Sequence, residues 1–383
     1  MPQTTTASMP QASETTPPRV GFSEWIDQQT GKLFVLPAVV ILLAFAIFPL
    51  LISAYLSLTK FKLAAGGFSL SYVGLRNFKK LFFGSQQYHL LGTFDAFGIF
   101  EWAVFIAALA LVAYWFWRFF TGGHFNIPGL IGRLITATVM VALLWLTLAT
   151  VFGGHPGSLV VTLFYVLVGV SLQFGIGLGL ALLCGQAIRG RNAFRIIFFI
   201  PLMVTPVGIA YMFRMLADMQ RGPLANIWQW FGLGEFSWAA DPWTARLVVL
   251  IGDTWQWVPF MFIVLLAAVE NMPRDQLEAA KIDGAGGWQI FRDITWPSIA
   301  PVAATIVLIR LIEAFKIVDL PNVLTNGGPG IATESLTLHS FIAWRTQDLG
   351  GSAAVGYTLL FVATVSCVSF FNFIGQKTRK TEL

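Results

Sequence analysis

Eight long apolar runs dominate this 383-residue chain, and they constrain its fold more than any other feature. Each approaches or exceeds the roughly 20 residues that a helix needs to cross a bilayer. The predicted runs are Leu33–Leu58, Phe97–Trp117, Leu134–Phe152, Leu159–Leu183, Ile196–Phe213, Leu247–Val269, Ile299–Val318 and Ala353–Ile374. Hydrophobic residues make up 56% of the chain and charged residues only 11%, against about a quarter charged in soluble proteins. We therefore predict an all-α membrane protein, a polytopic bundle of about eight transmembrane helices.

The distribution of Lys and Arg predicts the orientation of this bundle. With the N-terminus inside, 13 of the 24 Lys and Arg residues fall in or beside cytoplasmic segments, and the C-terminus is also cytoplasmic. Residues 1–32 are predicted to be a disordered cytoplasmic tail, because the first 18 carry too little apolar surface to fold. The first transmembrane helix is assigned to residues 33–58 and a periplasmic loop to 59–96. Five basic residues of this loop then lie outside, contrary to the charge rule, in a loop near the length at which that rule weakens. They are Lys60, Lys62, Arg76, Lys79 and Lys80.

A polar segment, Asn271–Pro301, stands between two membrane-length apolar runs. Pro273 and Asp275 suit the first turn of a helix, so we expect a short helix from about Pro273 to Ile282. Gly284 then permits the positive φ angle that turns the chain. Trp288 and the apolar residues after it recur at helical spacing, which predicts a second short helix before the next apolar run.

This segment resembles the EAA loop of permease subunits of type I ABC importers, in the carbohydrate-uptake, maltose-type family. The matching residues include Glu278, Ala279, Ala280, Asp283, Gly284, Phe291, Ile294, Pro297 and Pro301. In that family the loop docks onto a separate ATPase subunit. The resemblance thus implies that Glu278 contacts the ATPase, that the two alanines permit close approach and that Gly284 forms the turn. Asp283 and Pro297 belong to the same ATPase-coupling set.

The resemblance is continuous from about residue 159 to 376, which we assign as the transmembrane domain of this family, with its cytoplasmic coupling loop at 271–301. An additional helix pair at 97–153 has no counterpart in the usual six-helix member. The spacing of Gly175 and Gly179 permits a close helix contact, either within the subunit or between subunits. Pro201 and Pro206 are expected to kink or break the helix that holds them.

Polar residues inside the apolar runs are candidates for the substrate pathway, because ionisable groups are costly in a bilayer. One group clusters in the sixth run and combines aromatic faces with hydrogen-bonding groups that suit a sugar: Asp253, Trp255, Gln256 and Trp257. A second set follows in and after the seventh run: Arg310, Glu313, Lys316, Asp319 and Asn322. The charged members recur every three residues, so pairing among themselves is an equally good explanation.

The segment Leu324–Pro329, with Thr333 and Glu334 after it, resembles an outer loop of carbohydrate permeases in the same family. The family implies a second permease subunit, two cytoplasmic ATPase subunits that bind ATP and Mg, and a periplasmic sugar-binding protein. The size of the chain suggests a heterodimer with a shorter permease. The expected location is the inner membrane of a bacterium.

Several enzyme classes find no support in the sequence. There is no G-x-x-x-x-G-K-[ST] motif for a nucleotide phosphate, so ATP hydrolysis is expected in a separate subunit. The four histidines are scattered and lack metal-ligand spacing, so we predict no metal site and no cofactor in this chain. Three alternatives remain: a secondary transporter driven by an ion gradient, a membrane-embedded enzyme and an ABC permease for a non-carbohydrate solute.

Overall fold

The structure, a computed structural model, describes residues 34–64, 67–93, 96–121, 127–151, 155–185 and 191–378. The predicted tail at 1–32 lies outside these residues. Contacts divide the chain into one unit up to Ser53 and a second unit from Ala54. The described part is almost entirely helical, in agreement with the predicted fold class.

The first half of the chain contains five helices and one hairpin in its described residues. They are α1 (Phe34–Ser57), β1 (Thr59–Ala64), β2 (Gly67–Tyr72), α2 (Arg76–Phe83), α3 (Gln87–Leu91), α4 (Ile99–Thr121) and α5 (Ile127–Val151). β1 and β2 pair antiparallel, with Lys60 opposite Ser71 and Leu63 opposite Phe68. This hairpin and the two short helices occupy the stretch predicted as a loop at 59–96. They escaped prediction because all are too short to leave a clear periodic pattern.

The second half begins with a long apolar helix and ends with another. Its elements are α6 (Ser158–Cys184), α7 (Arg191–Met203), α8 (Pro206–Ala217), α9 (Ala225–Trp230), α10 (Pro242–Glu270), α11 (Arg274–Ile282), α12 (Gly287–Ala314), α13 (Asp319–Thr325), α14 (Leu336–Arg345) and α15 (Leu349–Thr378). The first turns of several of these helices are stabilised by capping residues. At α10 the Asp241 carboxylate accepts hydrogen bonds from the backbone N–H groups of Trp243 and Thr244, and Pro242 occupies the first turn.

Six helices in the described residues are long and apolar enough to cross a membrane, and a bent pair raises the number to seven. The six are α1, α4, α6, α10, α12 and α15. The 25-residue helix α5 covers the third predicted run but is not among them. The count of eight spans and the orientation of the termini therefore stay predictions, whereas a multi-pass membrane protein is confirmed.

The fifth predicted run, Ile196–Phe213, is not one straight helix. α7 ends at Met203, α8 begins at Pro206, and their axes differ by 101°. Pro201 lies inside α7 without ending it, whereas Pro206 stands in the first turn of α8, where its missing N–H is tolerated. The Thr205 side chain caps α8 by accepting from the N–H of Gly208. The predicted break is confirmed, and it falls just before Pro206.

The core of the second unit forms where α6 packs against α10, with α12 and α15 beside them. Gly177 of α6 is buried, and an added Cβ there would lie 2.6 Å from the Cβ of Met261 and 3.0 Å from the backbone nitrogen of Phe262. Gly175 and Gly179, which the sequence indicated for close packing, are exposed and have open space around them within this chain. The close approach within the subunit therefore occurs between them, at Gly177.

Replacing Gly177 by Ala should destabilise the protein by about 1–3 kcal/mol, because the new methyl group must push apart two tightly packed helices. Unfolding of the purified protein in detergent measures the change. Gly179→Ala is the matched control on the same helix, and it should be neutral or stabilising, since Ala favours helix more than Gly does. Equal stability of the two variants would contradict the packing described here.

Candidate functional site

The loop between α10 and α12 carries an exposed helix with a sharp turn after it. α11 begins at Arg274, with Pro273 in the N-cap position, and ends at Ile282, as the sequence predicts to within one residue. Gly284 follows with φ of +78°, a conformation that strains any residue with a Cβ. Ile282 is 85% exposed.

The second half of the loop differs from the prediction. The expected second short helix is the beginning of α12, which runs without interruption from Gly287 to Ala314. The Gln289 side chain accepts a hydrogen bond from the backbone N–H of Gly286 and so fixes the first turn. A π turn at Phe291–Thr295 accommodates an extra residue in the helix. The turn at Gly284 is therefore followed by a membrane-length helix without a break. Pro297 and Pro301 both lie inside this helix and do not interrupt it.

Most residues predicted to contact an ATPase lie on the surface. Glu278, Ala279, Asp283, Gly284 and Pro297 are exposed and Ala280 is half-buried. Beside the turn, an open cleft of about 380 Å³ is lined by residues of the turn and of the first turns of α12. Asp283 and Asp293 both line it. This surface provides both acidic and small side chains, which suits docking of a second protein.

A buried polar cluster joins α6, α10 and α12 in the core. The Arg310 Nη2 donates to Asp253 Oδ2 at 2.5 Å, and its Nε donates to Gln173 Oε1 at 2.7 Å. Gln173 Nε2 in turn donates to the same Asp253 oxygen at 2.8 Å. The Arg310 guanidinium also lies 4.5 Å from the ring centroid of Trp257, close enough for a cation–π contact. Three buried residues, each at most 4% exposed, thus satisfy one another's charged or polar groups.

This arrangement changes the prediction for the sixth helix. Asp253 and Trp257 are engaged by Arg310, so Asp253 contributes an internal ion pair and does not present a free carboxylate. Trp255 is half-buried and packs edge-on against Phe213 at 5.8 Å, whereas Gln256 is buried. Gln173, the third member of the cluster, was not singled out in the sequence, because an uncharged amide in a long apolar run gives little signal.

The prediction that the charged residues of the seventh run share one face of a single helix is wrong. α12 ends at Ala314, so Lys316 and Asp319 lie beyond it, and Asp319 begins α13. The expected pairing at i,i+3 spacing is found between Lys316 and Glu313, at 2.6 Å, but not between Glu313 and Arg310. Asn322 is half-buried within α13. Short-range spacing did not reveal that Arg310 has its partner 57 residues away.

The loop predicted to face outward, Leu324–Pro329, folds onto the segment that follows it. Asn326 and Gly327 have positive φ angles of 50° and 86°, which end α13 and reverse the chain. The hydroxyl groups of Thr325 and Thr333 lie 2.6 Å apart, and Thr333 also donates to the carbonyl of Gly328. The resulting tight loop places Glu334 in a buried position.

Two histidines that appear unrelated in the sequence meet at this loop. His89 of α3 and His339 of α14 stack with ring centroids 4.1 Å apart, and both approach Glu334. Burial and the nearby His89 lower the pKa of His339 to about 3, so its ring is neutral at physiological pH. The two histidines are 250 positions apart in the sequence, so their spacing gave no sign that the fold brings them together.

Long apolar helices, one broken helix pair and an exposed helical loop joined directly to a spanning helix define a multi-pass membrane protein of the transport class. Residues 173–380 match the family described as "Binding-protein-dependent transport system inner membrane component". Because the match covers more than half of the chain, this protein belongs to that family. The resemblance to ABC-importer permeases is confirmed, and so is the prediction that the chain is a transport subunit and not an enzyme.

Similar proteins are known from several organisms. The trehalose/maltose transport system permease protein of Thermococcus litoralis is 33% identical over 222 residues, 58% of this chain and 75% of that protein. The lactose transport system permease protein of Rhizobium radiobacter is 29% identical over 57% of this chain and 75% of that protein. The sn-glycerol-3-phosphate transport system permease protein of Escherichia coli is 30% identical over 53% of this chain and 70% of that protein.

The fold is also similar to that of a solved transporter chain. The bacterial ABC transporter involved in the import of the acidic polysaccharide alginate matches 92% of this chain and 98% of its own, with a TM-score of 0.61 and 16% sequence identity. At 16% identity this match shows a similar fold and does not by itself show a similar function. Its coverage extends well beyond the family match at 173–380.

Breaking the buried ion pair should destabilise the fold strongly. Asp253→Ala leaves the Arg310 charge buried without its partner, which we expect to cost about 3–5 kcal/mol. The double variant Asp253→Leu with Arg310→Met removes both charges and should recover most of that loss. Unfolding of the purified variants in detergent measures both.

The control for this prediction is the exposed pair of Glu313 and Lys316, whose side chains are 38% and 58% exposed. Glu313→Ala should change stability by less than about 1 kcal/mol, because solvent screens a surface ion pair. A comparable loss in Glu313→Ala and Asp253→Ala would show that the buried cluster has no special role in stability.

Proposed function

We propose that this chain forms half of the translocation pathway of an ATP-driven importer and receives its driving force through α11. The observation that carries this proposal is the continuity of α12, which begins beside the turn at Gly284 and reaches the buried Arg310 without a break. A displacement applied to α11 is passed to one rigid helix. That helix is bonded through Arg310 to α6 and α10, so the movement extends into the core.

The proposed source of the displacement is a pair of ATPase subunits that bind ATP and Mg outside this chain. The exposed Glu278 and Ala279 of α11, the half-buried Ala280 beside them and the open cleft at Asp283 support docking of such a subunit. The small alanine side chains allow a partner to approach the helix backbone closely. A second permease subunit, forming a heterodimer with this chain, completes the pathway. The exposed Gly175 and Gly179 of α6 support a close helix contact with it.

The proposed location is the inner membrane of a bacterium, with both termini and α11 in the cytoplasm. The Lys and Arg distribution supports this orientation. The loop at Leu324–Pro329 then faces the periplasm, where a sugar-binding protein delivers the substrate. A bacterial alginate ABC transporter has been solved in complex with an alginate pentasaccharide-bound periplasmic protein. One of its chains matches 71% of this chain and 96% of its own length, with a TM-score of 0.52 and 20% identity, and this shared fold supports the proposal of a periplasmic partner.

The proposed substrate is a sugar or a sugar derivative. Relatives named for trehalose/maltose, lactose and sn-glycerol-3-phosphate transport support this class. Within the pathway, the candidate contacts are those polar and aromatic groups that the fold leaves at least partly accessible. They are Trp255, Trp257, Glu313, Lys316, Asp319 and Asn322. Asp253 is buried and acts on the pathway through the helices that it holds, and Gln256 is also buried.

Two substitutions in the coupling loop should abolish transport without preventing membrane insertion. Glu278→Lys reverses the charge on the exposed face of α11. Gly284→Val places a β-branched residue at a φ of +78°, a strain of about 1–3 kcal/mol that shifts the turn. Substrate uptake and substrate-stimulated ATP hydrolysis by the reconstituted importer measure the effect.

Gly287→Ala is the matched control, since its φ is ordinary and an added Cβ there meets open space. Transport by this variant should equal that of the wild type. If Glu278→Lys and Gly284→Val also transport at the wild-type rate, the coupling role of α11 is ruled out.

Uptake into vesicles should depend on ATP and not on an ion gradient, because the energy enters through a nucleotide-binding partner. With ATP present and all ion gradients collapsed, uptake of a labelled disaccharide or sugar phosphate should persist. Unlabelled substrate of the same class should compete with it, whereas amino acids and inorganic phosphate should not. Uptake that ceases with the gradient would identify a secondary transporter instead.

A further inference from the structure

Two histidines from distant parts of the chain lie beside one buried carboxylate. His89 lies on α3, Glu334 on the segment between α13 and α14, and His339 on α14. One nitrogen from each imidazole and one oxygen of the carboxylate lie within 4.8 Å of one another. Two imidazoles and a carboxylate are a donor set that borderline transition metals prefer.

The distances are close to those that a tetrahedral metal requires. His89 Nε2 lies 2.8 Å from Glu334 Oε1, and His339 Nδ1 lies 3.8 Å from the same oxygen. Metal–ligand bonds of about 2.0–2.1 Å place tetrahedral ligand atoms about 3.3–3.4 Å apart. Both observed distances therefore differ from the required value by about half an ångström. The two imidazole rings stack with an interplanar angle of 24°, so they must also rotate apart for both nitrogen lone pairs to reach one ion.

The carboxylate itself indicates that a cation belongs there. The Glu334 side chain is 4% exposed, and its Oε1, although it lies 2.8 Å from His89 Nε2, makes no well-directed hydrogen bond among the described residues. His89 donates to the other oxygen, Oε2, at 2.8 Å. A buried carboxylate with an unsatisfied oxygen is costly unless a proton or a cation compensates it.

Access and support for the site are also present. The His89 side chain is 31% exposed, so one edge of the cluster opens to solvent, where a metal and a water ligand can enter. The Ser158 hydroxyl lies 3.0 Å from His339 Nδ1, so a bound ion would replace Ser158 as the partner of that nitrogen. Gly327 packs against Glu334, where a side chain would contact its Cβ at 3.4 Å. The cluster is thus packed against the loop on one side and open to solvent on another.

We propose that His89, Glu334 and His339 bind one Zn²⁺ ion. The bound ion joins α3 to the tight loop at Leu324–Pro329 and to the start of α14, and so fixes the loop that the proposed function places at the periplasmic face. The metal site itself does not depend on that function. Mg²⁺ and Ca²⁺ should bind poorly, because they prefer six or more oxygen ligands.

Metal binding is tested on the full-length chain, purified in detergent through an affinity tag that contains no histidine. Titration with ZnCl₂ followed by metal analysis should show one Zn²⁺ per chain, retained in excess MgCl₂ and CaCl₂. His89→Gln and His339→Gln should each weaken binding more than about 100-fold, beyond the 10–100-fold that is typical of changes outside the ligand shell. Zn²⁺ should raise the melting temperature of the wild type but not that of His89→Gln.

His155→Gln is the matched control. His155 is an exposed histidine just before α6, and its hydrogen bonds with Thr93 use its backbone N–H and carbonyl groups. It should bind Zn²⁺ like the wild type. Equal weakening in His155→Gln and His89→Gln would show non-specific binding to histidines and overturn the proposal. Failure of the wild type to bind Zn²⁺ would overturn it as well. His89 lies partly at the surface, so His89→Gln should fold normally.

X-ray absorption of the zinc-loaded protein identifies the ligands directly. Two imidazole nitrogens with oxygen ligands are expected, and the imidazole signal should fall in His339→Gln. Sulfur ligands would instead implicate Cys184 or Cys367 and reject the site. Because none of these measurements involves transport, failure of the zinc site would leave the proposed importer function unaffected, and failure of transport would leave the zinc site unaffected.

Discussion

The bonds among Arg310, Asp253 and Gln173 are the interaction on which the transmembrane core depends. In an apolar environment each charged group is costly alone, and each becomes tolerable only when its partner is held at hydrogen-bond distance. The three side chains come from α12, α10 and α6, so the requirement to satisfy one buried charge fixes three long helices relative to one another. Apolar packing alone would fix the relative positions of the helices less strongly, because a leucine side chain packs as well against a lipid tail as against another leucine.

The close contact at Gly177 acts together with this cluster. A small residue lets α6 approach Met261 and Phe262 of α10, and the polar bonds then set how the two helices are aligned. α12 is bonded to this pair through Arg310, and its other end lies beside Gly284 in the exposed loop. The proposed transport mechanism follows from that geometry. A force on α11 acts at one end of a continuous helix whose other end is anchored in the core.

The opposite end of the same bundle is organised around a second buried charge. Glu334 is held by the tight loop that begins at Asn326, and its neighbours are two histidines from α3 and α14. Arg246 of α10 donates to the carbonyl of Ala332 at 2.6 Å and so ties the same loop to the core. The loop is therefore rigid, and a bound Zn²⁺ ion would add one more link to α3.

The sequence by itself determined the membrane class, the approximate positions of most long helices, a kink or break near Pro201 and Pro206, and the turn at Gly284. Each of these depends on local chemistry: apolar length, a missing N–H or a positive φ angle. Only the tertiary structure decided that α12 includes the second half of the coupling loop, that Arg310 pairs with Asp253 and not with Glu313, and that His89 meets His339. Those contacts join residues 57 to about 250 positions apart. No periodic pattern along the chain records them, because they arise from how separate helices pack.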